Sequence, residues 1–185
     1  PPTVESTRPV TVTREDLDQA ILFCMNENGS GKCRCTFSFG VYTGPIESLD
    51  VSAIDNFSGL FKDIAGFYGY VSNWDTSAVV TISQMFPCAS SFNRYIGLWD
   101  ISKVTDLSNM FKGAVSFNKP IWTWQTSAVT TMYAMFLDAT SFNQDLSSWD
   151  TSKVTSMGGM FADASSFNQD LSSWDVSKVT NMYNM

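Results

Sequence analysis

The chain has 185 residues, 44% of them hydrophobic, with 11 Lys and Arg against 18 Asp and Glu, no His, and a formal net charge of −7. That apolar content supports a folded core and argues against disorder, while the acidic balance disfavours nucleic acid and anionic membrane surfaces, which need clustered positive charge. No stretch approaches the roughly 18 apolar residues of a membrane-spanning helix, and the lack of His removes the commonest general base together with Ser–His and Cys–His nucleophile pairs.

The chain opens on Pro1-Pro2 with no Met, so a leader is expected to have been removed or to lie outside this stretch. Thr13-Arg-Glu-Asp16 then begins a capped amphipathic helix, with Leu17, Ala20, Ile21 and Cys24 on one face. Its expected role is to close the exposed end of a stack. Cys24, Cys33 and Cys35 cluster around the loop Asn26–Lys32, and Cys88 lies further on. In an exported protein these read as candidate disulfides, Cys24 with Cys33 or Cys35 and the remaining one with Cys88. A metal site at Cys33-x-Cys35 is disfavoured by its spacing and by the absence of His. Asn28-Gly-Ser30 and Asn56-Phe-Ser58 are candidate glycosylation sequons. Gly29-Ser-Gly31 lacks the Lys and the spacing of a phosphate loop.

From residue 46 a repeat takes over. Trp74, Trp99, Trp124, Trp149 and Trp174 stand 25 residues apart, and Leu49 fits the register one step earlier. With the tryptophan as position zero, position five is Ile54, Val79, Val104, Val129, Val154 and Val179. Position eight is Phe57, Ile82, Leu107, Met132, Met157 and Met182. Positions eleven and twelve pair Met with Phe, as in Met110-Phe111. Position eighteen is Phe67, Phe92, Phe117, Phe142 and Phe167, and position twenty-two is Val71, Ile96, Ile121, Leu146 and Leu171. A 25-residue unit cannot bury its own apolar face, but stacked units cover one another. The predicted fold is therefore a repeat solenoid: residues 1–45 form the entry segment and disulfide-stapled helical cap, and 46–185 hold about five and a half units. Met185 falls at position eleven, so the repeat is expected to continue beyond it or to lose order there.

Asp-x-Ser follows nearly every tryptophan, as in Asp100/Ser102, with Gln125 breaking the column once. Such pairs form Asx-turns or caps. Stacked Asp carboxylates also offer Ca²⁺ its preferred oxygen ligands, which keeps a calcium-dependent module as an alternative. Asn93, Asn118, Asn143 and Asn168 are placed to satisfy backbone groups at a bend. Apolar spacing at 154, 157, 161 and 164 predicts a short helical or 3₁₀ segment over Met157–Ala164. Asp-Leu-Ser-Ser-Trp174 is predicted as a short strand in parallel pairing. In that strand, positions twenty-one and twenty-three share a face. Tyr70, Tyr95, Pro120 and Trp122 then line one aromatic strip flanked by Arg94 and Lys119, a candidate partner-binding surface. Drift between units, or cover by segment 36–45, is the competing reading of the same residues.

The unit Trp-Asp-(Thr/Val)-Ser-Lys-Val-Thr-x-Met-x-x-Met-Phe-x-x-Ala-x-Ser-Phe-Asn-Gln-Asp-Leu-Ser-Ser resembles the 25-residue surface-protein repeat of Mycoplasma-type lipoproteins, related to BspA-like leucine-rich-repeat surface proteins. The resemblance is closest over 124–185 and loosens toward 44–73. It implies a leucine-rich-repeat-like solenoid with short parallel strands and short helical segments. It further implies an extracellular or cell-surface protein of structural or adhesive function, with no catalytic residues and no cofactor to carry over. The partners expected are a protein or polysaccharide at the cell surface, or further copies of the chain associating laterally or end to end. A glycan-processing enzyme or its targeting module, using Asp pairs and the aromatic strip, is the alternative from another class.

Overall fold

A computed structural model describes residues 11–27, 36–39, 42–67 and 69–185. The order is a helix, Arg14–Glu27 (α1), an antiparallel pair of strands, Thr36–Phe39 (β1) and Tyr42–Pro45 (β2), a 3₁₀ turn at Ile46–Ser48, and then the 25-residue units. Thr13 and Asp16 close a reciprocal capping box at the start of α1: the Asp16 N–H donates to Thr13 Oγ1 at 3.1 Å and the Thr13 N–H to Asp16 Oδ2 at 2.9 Å. Leu17, Ala20 and Ile21 turn inward and are buried.

The units lie parallel to one another. Parallel bridges run in sequence through position seven, Asn56 to Thr81, Asp106, Thr131, Ser156 and Asn181. Around each bridge the backbone follows an alternating rule. The N–H groups of positions eight, ten, twelve and fourteen donate to carbonyls of the next unit, as Leu107, Asn109, Phe111 and Gly113 do to Thr131, Tyr133, Met135 and Leu137, at 2.7–3.1 Å. The N–H groups of positions eleven and thirteen donate three residues back within their own unit, as Met110 does to Leu107 and Lys112 to Asn109 at 3.2 Å, and that of position nine donates to the side chain at position seven, as Ser108 does to Asp106 Oδ1 at 2.7 Å. Both sets of backbone polar groups are thus paired by a pattern that is neither helix nor strand.

This corrects two expectations. Met157–Ala164 is not a helix or 3₁₀ segment but a chain of turns. Residues at positions ten and fourteen sit at positive φ, for example Gly159 at 65° and Asp163 at 57°, and this reversal breaks any continuous helix. Asp170–Trp174 is not a strand either. The Asp170 carboxylate accepts from the Ser172 N–H, and the Trp174 N–H donates to the Leu171 carbonyl, so local turn bonds take the groups that a ladder would need.

The apolar columns form the core. Position eighteen is fully buried from Phe67 to Phe142, and Phe167 is half-buried against the cluster. Two phenylalanine columns run side by side. Within a unit their rings lie 3.9–4.0 Å apart, and between units 5.1–6.0 Å apart, with interplanar angles of at most 22°. Each of the five position-zero tryptophans is buried and donates its indole N–H to the carbonyl 28 residues earlier, at 2.9–3.2 Å. That bond satisfies the one polar atom of the ring and ties it to position twenty-two of the unit before last.

The entry segment replaces the unit that would precede the first. Thr11 bridges Asp50 in parallel, and the Val12 N–H donates to the Asp50 carbonyl at 3.0 Å. Arg14 donates to the carbonyls of Asn56 and Ser58 at 2.8 and 3.0 Å. Those are positions seven and nine, the carbonyls that a preceding unit caps elsewhere. Asp18 orients the guanidinium at 2.9 Å.

Candidate interaction surface

The column of Asp residues is a column of turns. Asp50, Asp75, Asp100, Asp150 and Asp175 each accept the N–H of the serine two residues on, at 2.9–3.1 Å. The serine hydroxyl and then its N–H hold these carboxyls below the ordinary value of 3.8, with Thr11 adding to the effect at Asp50. Asp145 and Asp170 are lowered in the same way, there by the N–H first. One edge of the stack is therefore ionised at neutral pH. Among the described residues no group of three or more His, Cys, Asp or Glu is placed to hold a metal ion.

The asparagine column also has a backbone partner in each neighbouring unit. Asn93, Asn118 and Asn143 accept the N–H of Asn118, Asn143 and Asn168 through Oδ1, each at 3.0 Å. Gln144 and Gln169 add amide donors to Asn118 and Asn143 at 2.7 and 2.8 Å, a support that their position next to Asn could have signalled.

The aromatic strip holds three exposed rings, Tyr70 at 48%, Tyr95 at 37% and Trp122 at 56% exposure. Pro120, Arg94 and Lys119 are half-buried. Arg94 lies over the Tyr70 ring at 4.4 Å, which places a cation on its face. Tyr95 folds across its own turn: a Cβ at Gly97 would sit 2.8 Å from the ring, so the glycine makes room for it. Arg94 and Tyr70 meet across two neighbouring units, and the backbone there runs in turns rather than along a strand face.

Two contiguous clefts sit beside Trp122. One, about 510 Å³, is lined by Trp122, Thr123, Gln125, Ser127 and Asp150 among others. The other, about 340 Å³, includes Leu98, Asp100 and Ser102 and shares Thr123 and Gln125 with the first. Leu98, 69% exposed, had no role in the sequence reading. The signal available for it was the hydroxyl that Thr123, Ser148 and Ser173 carry at the same position.

Cys88 is an exposed free thiol, which corrects its assignment to a disulfide. It occupies position fourteen at φ 58°, in the turn above Gly113 of the next unit. Cys33, Cys35 and the side chain of Cys24 lie outside the described residues, as does the sequon at Asn28. Asn56 is exposed, and its Oδ1 accepts the Ser58 N–H at 2.9 Å.

The model of a family described as Mycoplasma protein of unknown function, DUF285, matches residues 33–124 and again 92–185. The chain belongs to the DUF285 family. It is a repeat protein: the family model matches twice, over overlapping stretches of a chain that carries a 25-residue period. No curated protein and no solved structure matches it. Among the described residues no helix is long and apolar enough to cross a membrane.

Proposed function

We propose that this DUF285 chain is a leucine-rich-repeat-like solenoid of the kind found in BspA-like surface proteins. In this reading it is extracellular or attached to the cell surface, is not an enzyme, and serves a structural or adhesive function. A protein or polysaccharide partner is recognised on the face that carries Tyr70, Tyr95 and Trp122. One observation supports this above the others. The tryptophans at position zero and most of the phenylalanines are buried in regular columns, yet these three rings are exposed. Exposed large aromatics suit contact with a partner. The stacked architecture favours the same reading, because each unit adds area to a continuous outer face.

The experiment compares the purified chain with a variant in which Tyr70, Tyr95 and Trp122 are all changed to Ser. Adsorption is measured on surfaces coated with extracellular-matrix proteins and with polysaccharides, and sedimentation reports self-association. The variant is expected to keep the parent's melting temperature and to lose adsorption at least tenfold. Equal adsorption of the two proteins to every surface, with unchanged sedimentation, overturns the assignment of this face.

A further inference from the structure

Three departures from the repeat meet at one corner of the stack. Position one is Asp in the neighbouring units, and its Oδ1 caps a serine N–H, as at Asp100 and Asp150. Gln125 takes that place and, among the described residues, makes no such bond to Ser127. In three of the five units position twenty-four carries a hydroxyl that donates to the previous unit, Ser148 to the Trp122 carbonyl at 2.7 Å, Ser173 to the Ser147 carbonyl at 2.8 Å, and Thr123 to the Gly97 carbonyl, and in the first unit it is the polar Asn73. Leu98 holds that position without a hydroxyl and points an apolar side chain into water. Position twenty-three is Ser or Gly in the other units, at Ser72, Gly97, Ser147 and Ser172, but is Trp122 here. Each exchange gives up what the fold uses at the equivalent place, and all three line the two joined clefts.

We infer that this corner binds an uncharged saccharide, with one pyranose ring seated on the indole face of Trp122 and its hydroxyls hydrogen-bonded to Gln125, Asp100 and Asp150. The inference rests on the surface-recognition reading above and names the ligand class for it. The face of an indole is the negative side of its quadrupole, and the C–H face of a pyranose is weakly positive, so the two pack flat. Asp100 and Asp150 each engage a turn N–H through Oδ1, but both side chains are exposed and a carboxylate has about four lone-pair sites. Being ionised, they only accept, so the ligand must donate. A polyol donates at every hydroxyl, whereas an anionic sugar is repelled by the same carboxylates. Gln125 lies between them. An amide there both donates and accepts, and it removes one negative charge from the centre of the acidic edge. The combined cleft falls in the size class of small-molecule sites.

Three substitutions restore what other units carry and so should leave the fold intact: Trp122→Ser, Gln125→Asp and Leu98→Ser. The parent chain is titrated by intrinsic fluorescence and by affinity electrophoresis with maltohexaose, cellohexaose and chitohexaose, and with oligogalacturonate as the anionic comparison. At least one neutral hexasaccharide is expected to bind. Trp122→Ser should weaken it at least tenfold and Gln125→Asp several-fold, while Tyr133→Ser, an exposed ring outside both clefts, leaves it unchanged and oligogalacturonate does not bind. Failure of all three neutral probes to bind at millimolar concentration overturns the inference. So does binding that survives both Trp122→Ser and Gln125→Asp, or equal binding of the anionic probe. These results are separable from the adhesion test: adsorption lost in the Tyr70/Tyr95/Trp122 variant without any sugar binding removes the saccharide and leaves the surface, and the converse removes the surface role and leaves the sugar.

Discussion

At the scale of single residues, the backbone reversal at positions ten and fourteen is the feature with the largest local cost. Gly59, Gly113 and Gly159 accept positive φ without penalty, and Asn109, Asp63, Asp138 and Asp163 tolerate it through their short polar side chains. Ala134, at φ 51°, has neither advantage. A left-handed L-residue costs about 1–2 kcal/mol, partly offset here by the buried methyl group and by the greater freedom of glycine in the unfolded chain. Ala134→Gly is therefore expected to stabilise the protein by about 0.5–1 kcal/mol, and Gly159→Ala, its equivalent one unit on, to destabilise it by about 1 kcal/mol or more. Thermal melting of the two variants beside the parent checks both signs. The run of Gly, Asn and Asp at these two positions was visible in the sequence as a signal of left-handed backbone. The helical spacing of Val154, Met157, Phe161 and Ala164 masked it, because that spacing is satisfied equally by turns that keep those side chains on one side.

At the scale of elements, the entry segment works as a substitute unit. Arg14 fills two carbonyl positions with one planar fork, and Asp18 holds that fork in place. Arg14→Ala leaves the Asn56 and Ser58 carbonyls to water, and Arg14→Lys reaches at most one of them with a point charge. Hydrogen bonds to charged donors contribute about 1.5–3 kcal/mol each, and less where water can replace the donor. The expected outcome is faster amide exchange confined to the first unit, residues 49–73, in Arg14→Ala, with Arg14→Lys intermediate and exchange in the units from Trp124 onward unchanged. The capping box at Thr13–Asp16 was legible because it is local in sequence. Arg14's partners were not, since they lie more than forty residues away and only stacking brings them close.

At the scale of the whole molecule, the core is built from rings stacked between successive units, so the same substitution should cost more where a ring is fully buried than where it is half-buried. Phe111 is fully buried between Phe86 and Phe136, while Phe161 is half-buried and stacks on Phe136 and Phe167. Phe111→Ala is expected to destabilise by about 3–5 kcal/mol, the range for a buried phenylalanine. Phe161→Ala should cost about half that, because its ring is only half-buried and gives up less apolar contact. Urea titrations of the two variants measure the difference, and equal losses would contradict this dependence on burial.

The sequence alone determined the period, the columns that form the core, the Asp-x-Ser turns and the asparagine ladder. Each of these recurs every 25 residues, and a recurring residue type reports a recurring physical demand. Tertiary structure alone decided how the backbone groups pair, why Arg14 matters, that Cys88 is unpaired, and that Leu98, Trp122 and Gln125 share one corner. The reason is the same in every case. Those facts depend on which residue of one unit lies against which residue of the next, and the offset between stacked units is set by packing of the aromatic columns, which no single unit contains.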